Sequence, residues 1–210
     1  MPDSVSNRDL RLVRYEQINL EIGLEYDTRD YPINPRQGIF IGHSYTLGLK
    51  NNYGPGYLLQ EDSIKTNEQV EMIKLQFDWY RELFRNQVLA LKLKAYLVDS
   101  DRLQITDLIW FGGARTLRGY REDQFQGNIA SWLNLEYRFL LARNSRIFVF
   151  NDWGAYQSDL QKVKKEEILY GYGIGIRLDT ALGILGVDFG LGKNDGFSEG
   201  KIHFGIINRF

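Results

Sequence analysis

The chain has no cysteine in its 210 residues. Disulfide staples and thiolate metal sites are thereby excluded. Histidine is almost as scarce: His43 and His203 are the only two, and no ligand spacing surrounds either. No metal site and no cofactor is expected; each histidine reads as an ordinary strand residue. No apolar run approaches the ~18 residues that a transmembrane helix needs. The opening "MPDSVSNRDLRLVR" is polar and charged and does not read as a signal peptide. A strong charge of one sign is missing too. The formal net charge is -1, which gives no reason to expect a nucleic-acid partner. Catalytic signatures are equally absent. No Gly-x-Ser-x-Gly elbow occurs, and nothing supplies a nucleophile with a base. Glu21, Glu25 and Asp27 are spaced for one strand face. "GYGIGI" places Gly171, Gly173 and Gly175 at period two, not in a dinucleotide fingerprint, and "GLGKND" lacks the remaining residues of a phosphate loop. No catalytic residue and no enzymatic activity is expected.

What the chain does have is aromatic residues and glycine: 13 Tyr, 12 Phe, 4 Trp and 21 Gly. That mix favours strands, and period two runs through nearly the whole sequence. In "QINLEIGLEY", Ile18, Leu20, Ile22, Leu24 and Tyr26 share one face, opposite Asn19, Glu21, Gly23 and Glu25. "GIFIGHSYTLGL", "MIKLQFDWY", "QVLALKLKAYLV", "SWLNLEYRF", "SRIFVFNDWGAY", "ILYGYGIGIRLD", "GILGVDFGLG" and "GKIHFGIINRF" behave alike. The pattern predicts about nine strands of roughly 10 to 15 residues. Soluble strands usually run near 5 to 6 residues, whereas a tilted membrane strand needs about 9 to 11. One face is nearly all apolar and aromatic. The other carries charge and glycine, as the wet lumen of a membrane barrel does. Alternation alone does not say which face points inward; a soluble lipid-binding β-barrel, apolar face inward, is the alternative.

The connections argue for the membrane. Read back from the C-terminus, "KNDGFSEG" is long, "TAL" short, "SDLQKVKKEE" long and "LARNS" short. The segment 99–126 is very long, "LFRN" short, "KNNYGPGYLLQEDSIKT" long and "RDYPINPRQ" intermediate. Outer-membrane barrels have short periplasmic turns and long outer loops. The expected fold is therefore an all-β, antiparallel transmembrane β-barrel with a long inward-folded loop. Residues 1–13 form a polar N-terminal segment or the start of the first strand, since Leu10 and Leu12 keep its phase. Residues 14–210 form the barrel part, with a lid loop at 99–126. Nine is an odd number, and bacterial single-chain barrels have even ones. An open sheet in lipid leaves backbone groups unpaired at several kcal/mol each. The expectation is part of a larger barrel, or closure by a second copy or another chain.

The long loop contains "FGGARTLRGY". A Gly-Gly pair followed by Leu-Arg-Gly-Tyr (Gly112, Gly113, then Leu117, Arg118, Gly119, Tyr120) resembles the signature of one superfamily. It comprises the outer-membrane assembly and two-partner-secretion transporters: BamA-type, TamA-type and FhaC-type proteins and the bacterial surface antigen barrel domain. "YDTRDYPINPRQG" resembles that family's Pro-x-x-Gly turn, here Pro35 to Gly38. "LNLEYRF" and "FNDWG" resemble two family strands with inward acidic residues, here Glu136 and Asp152. The terminal "INRF" resembles a C-terminal strand signal, here Phe210, with Phe204 and Ile206 in the same phase. The likeness covers most of residues 14–210 and matches the last nine strands or so of a sixteen-stranded barrel, without the preceding strands or the periplasmic POTRA repeats.

The resemblance implies a Gram-negative-type outer membrane, with the lipid bilayer and client outer-membrane proteins as partners. It implies a barrel that inserts or translocates those clients through a lateral strand seam, "GKIHFGIINRF" being one side of it. An alternative is the barrel anchor or pore of a patatin-like or other surface-antigen protein. The residues suggest a role for the loop motif. Arginine offers five donors in a fixed fork suited to carboxylates. Arg118 is expected to pin the loop inside the lumen through Glu136, Asp152 or both.

Overall fold

A computed structural model describes residues 14–53, 67–100, 103–160 and 165–207. The segment 1–13, Asn208 and Phe210 lie outside the described residues. Among the described residues there are eleven strands. Nine form one antiparallel sheet in the order β1-β2-β3-β4-β7-β8-β9-β10-β11, where β1 is Arg14–Asp27, β2 Gly38–Tyr53, β3 Asn67–Phe84 and β4 Gln87–Ser100. The rest of the sheet is β7 Ile129–Leu140, β8 Arg146–Ser158, β9 Lys165–Thr180, β10 Gly183–Gly192 and β11 Lys201–Ile207. The two others, β5 (Ile109–Phe111) and β6 (Phe125–Gly127), pair with each other inside the long loop.

Within the large sheet each strand pairs with the next of its strands along the chain, β4 with β7 across the long loop, and at the short turns register follows from turn geometry. Residues 85–86 close β3 onto β4, with Asn86 in the left-handed region at φ 62°. Asparagine tolerates that conformation. Residues 181–182 close β9 onto β10. Three strands exceed the expected length: β2 and β9 have 16 residues and β3 has 18. The extra length is polar. Lys50 and Asn51 of β2 pair with Glu68 and Asn67 of β3, where the ladder continues beyond the apolar band. Likewise β4 keeps its pairing through Asp99 and Ser100 opposite Glu71 and Val70, so the lid loop starts later than the 99–126 span expected from sequence.

The apolar face points out. Ile18 is 76% exposed and Leu24 77%, and Leu75, Phe77, Leu93, Phe139, Val149 and Ile174 are exposed on the same side. A soluble lipid-binding barrel needs the opposite arrangement. Such a surface matches the lipid-facing wall of a membrane barrel. Among the described residues no helix is long and apolar enough to cross a membrane; the strands do the crossing.

The inner face is mixed. Lys50, Asp78, Glu136, Arg138, Asp152 and Asp188 are buried there beside Val88, Ala90, Trp132 and Phe150. The β1–β2 connection, residues 28–37, reaches across the short-turn end of the sheet as far as the β7–β8 turn. Tyr31 donates to Asn144 Oδ1 at 2.8 Å, and Asn34 donates to the Arg143 carbonyl and accepts from Arg146, both at 3.3 Å. On the way Arg36 binds Glu82 at 2.6 Å and Asn86 at 3.0 Å. This strap ties β1 and β2 to the β7–β8 turn, past the intervening β3–β4 turn.

Candidate functional site

Residues 103–128 leave the end of β4 and fold back onto the inner face. The turn at the tip is built on Gly112 and Gly113, both at positive φ (123° and 89°). Gly112 N–H donates to Thr116 Oγ1 at 2.8 Å and Gly113 N–H to the Leu117 carbonyl at 2.9 Å. These bonds close a compact loop whose apolar side chains have somewhere to go. Phe111 and Leu117 are fully buried and form one cluster with Tyr120, Ala130, Trp132, Tyr156 and Leu169. Tyr96, Trp132 and Phe111 stack in a row with centroids 5.2 and 5.7 Å apart. Burying two side chains of this size contributes about 1.5–3 kcal/mol each.

Arg118 is 3% exposed, and Asp152 is fully buried. The guanidinium grips Asp152 twice, Nε to Oδ2 and Nη2 to Oδ1, both at 2.8 Å. Its backbone N–H adds a third bond to Oδ2 at 3.0 Å. Nη1 donates to Glu136 Oε1 at 2.7 Å. The other carboxylate oxygen of Glu136 accepts from Arg138 Nε at 2.7 Å. The cation also lies 3.8 Å over the Phe150 ring. Burial acts against the charge on Arg118; Glu136 and then Asp152 outweigh it, and the pKa moves up from an already high value. The guanidinium is therefore charged at any working pH.

Register explains why these groups meet. Asn134 and Asp152 are direct partners across β7 and β8, Glu136 lies two residues along β7, and Gly171 of β9 stands directly opposite Asp152. Glycine is required at Gly171, because an added Cβ would lie 2.0 Å from the Arg118 carbonyl oxygen. Gly119, at φ 89°, is pressed against the end of β10, where a Cβ would lie 2.5 Å from the Leu191 carbonyl carbon. Tyr120 donates to the Tyr170 carbonyl at 2.9 Å and accepts from Lys193 N–H at 3.0 Å. The motif thus touches β7, β8, β9 and the β10–β11 connection.

The structure brings Gly112, Gly113, Leu117, Arg118, Gly119, Tyr120, Glu136 and Asp152 into one site. Phe204 and Ile206 are elsewhere, exposed on the outer face of β11. Sequence reasoning missed three anchors. Asn134 Nδ2 donates to the Thr116 carbonyl at 2.7 Å. At the base of the loop Lys50 Nζ bonds Asp107 at 3.0 Å and Gln104 at 2.8 Å. Gln104 in turn donates to Glu68 at 3.0 Å. Inward phase on β7, β2 and β3 was the available signal, but every lumen position shares it. Replacing Lys50 by Met leaves Asp107 buried and unpaired. We expect a loss of about 3 kcal/mol, the low end for a buried pair broken on one side, read from the denaturant midpoint. Adding Asp107→Leu recovers part of it.

Among the described residues no group of three His, Asp or Glu side chains is arranged to hold a metal ion. The site is a clamp between a loop and a wall.

A long-stranded antiparallel sheet with its apolar face exposed and a polar-anchored loop on its inner face is part of a transmembrane β-barrel. The chain belongs to the Omp85 superfamily: that family's domain model matches residues 4–210. The family is one of transport and assembly proteins and not of enzymes. No curated protein matches in sequence. Among solved structures the chain is similar to BamA from Haemophilus ducreyi lacking POTRA domains 1-3. The TM-score is 0.68 at 16% identity, over 89% of this chain and 40% of that one. The chain thus spans well under half the length of that BamA chain.

Proposed function

We propose that this chain is the C-terminal part of an outer-membrane barrel that inserts or translocates other outer-membrane proteins, with its loop pinned by Arg118 and a lateral seam at β11. The observation that carries the reading is the Arg118 clamp. In a chain of this superfamily, the loop signature is held on the inner wall by two carboxylates from adjacent strands. β11 supports the second half of the reading. Its described partner is β10, through the seven residue pairs from Ile184–Ile207 to Gly190–Lys201, and among the described residues no strand lies on its other edge, where a client strand would add to the sheet. Closure of the barrel by a second copy or another chain belongs to the same proposal.

The test is photocrosslinking during client insertion. With a photoreactive residue at Phe204 or Ile206, the full-length protein in proteoliposomes should capture a folding outer-membrane protein. The same residue at Leu75, in the middle of the outer wall, should not. Equal capture at all three positions would remove the seam from the proposal.

A further inference from the structure

Among the described residues the outer wall carries opposite charges at its two rims. At the long-loop rim the described outward-facing charged side chains are Glu16, Glu71, Asp99 and Glu166, all exposed. Glu71 and Asp99 stand directly opposite each other in the β3–β4 register. At the short-turn rim the uncompensated charges are arginines. Arg81 continues the outward face of β3 after Phe77 and Trp79 and is exposed. Arg85 lies in the β3–β4 turn and Arg143 in the β7–β8 turn, both exposed. These turns are side by side, since Leu140 N–H donates to the Asn86 carbonyl at 2.7 Å.

Among the described residues none of the three arginines has a carboxylate partner. Arg143 rests on the Tyr31 ring at 4.6 Å, which leaves its donors outward. The acids at that rim are already engaged. Arg29 holds Asp27 at 2.6 Å and Arg36 holds Glu82 at 2.6 Å. The Arg36 N–H caps Asp30 at 2.9 Å, and Asn144 binds Asp179 at 2.9 Å. The arginines also sit at a definite depth. Leu83, Phe84, Phe139 and Leu141 are exposed beside them and mark the end of the apolar band. In a bilayer that is the level of the lipid phosphates, where aromatic girdles lie. A guanidinium fork fits phosphate oxygens and is weakly hydrated, so it is suited to that boundary.

We infer that Arg81, Arg85 and Arg143 form a binding rim for anionic phospholipid headgroups in the leaflet on the short-turn side. The inference rests on the membrane-barrel reading. A basic group at an anionic membrane surface gains roughly a fivefold preference. An acidic protein partner would also suit free arginines. The depth of Arg81 below Trp79, on a lipid-facing strand, favours the lipid.

Tryptophan quenching tests this. In the full-length protein, tryptophans other than Trp79 and the buried Trp132 are replaced by Phe, so that Trp79, beside Arg81, reports on the rim. The protein is reconstituted in phosphatidylcholine vesicles containing brominated phosphatidylglycerol or, in parallel, brominated phosphatidylcholine. We expect half-quenching at roughly fivefold lower mole fraction of the anionic lipid, with the difference shrinking at high salt. Arg81→Gln/Arg85→Gln/Arg143→Gln should abolish the preference, and the three Lys replacements should keep most of it. Should the triple variant not fold, Arg85→Gln in its exposed turn carries the comparison and should weaken the preference. Equal quenching by both lipids overturns the rim and leaves the barrel intact, as does a preference that survives the Gln variants. Absence of quenching by either lipid overturns the membrane reading as well.

Discussion

Gly171→Ala is expected to expel the long loop from the inner wall. A Cβ there would lie 2.0 Å from the Arg118 carbonyl oxygen and 3.4 Å from that of Leu191. Both are backbone atoms, so no side-chain rotation relieves the clash. Either the loop backbone or the β9 strand must move. β9 is held by a ladder to β8 over residues 165–177 and by one to β10 over residues 171–180, so the loop yields. Overpacking of this kind costs about 3 kcal/mol, the upper part of its usual range. Here it acts at the residue whose N–H and guanidinium both bind Asp152. Limited proteolysis of residues 103–128 should become rapid while the sheet stays folded by its heat-modified gel mobility. Gly205→Ala is the control. A Cβ at Gly205 meets nothing within 4 Å, so this variant should match the unmodified protein in both assays. Equal protease resistance of Gly171→Ala would mean that the loop tolerates displacement and that the clamp is not tight.

The strands were legible because their signal is local. A period-two alternation repeated over "QINLEIGLEY" or "SWLNLEYRF" needs no partner to be read, and lipid on one side with a wet lumen on the other makes the two faces chemically distinct. Alternation could not say which face was inside; loop lengths and the exposed Ile18–Leu24 row decide that. The loop motif was readable in composition, because Gly112, Gly113 and Gly119 mark positions that require positive φ. Its acidic partners came through family likeness, with inward phase in agreement.

Other contacts were hidden for a physical reason. Lys50 and Asp107 are 57 positions apart, and in a polar lumen many charged residues share the same inward phase. Nothing local selects one pair. The strap was hidden in the same way. "YPINPRQG" reads as a turn, but Tyr31 finds Asn144 across 113 positions, which only the curvature of the sheet brings together. Gly171 and Gly173 read as small lumen residues. That one of them makes room for the Arg118 backbone follows from the three-strand register of β7, β8 and β9, which no single strand reveals.

The clamp itself should show strong non-additivity. Arg118→Ala leaves Asp152 with no donor from the guanidinium and leaves Glu136 with Arg138 alone. Removing one side of a buried ion pair costs about 3–5 kcal/mol, because the remaining charge stays buried. Asp152→Ala costs a similar amount by stranding the guanidinium, which still has Glu136 at 2.7 Å. The double variant removes both charges, so its cost should fall well short of the sum, with a coupling on the order of 2 kcal/mol. Arg118→Lys separates charge from geometry. A single ammonium cannot reproduce the paired bonds to Oδ1 and Oδ2 while also reaching Glu136, so lysine should recover a minority of the loss. Loop proteolysis measures the local free energy, and client insertion by the full-length protein measures its use. If all four variants lost stability yet inserted clients at the unmodified rate, the clamp would be a folding device alone, and the proposed role of the pinned loop in insertion would be wrong. Loss of insertion that follows the proteolysis series, with lysine between alanine and arginine, is the expected result.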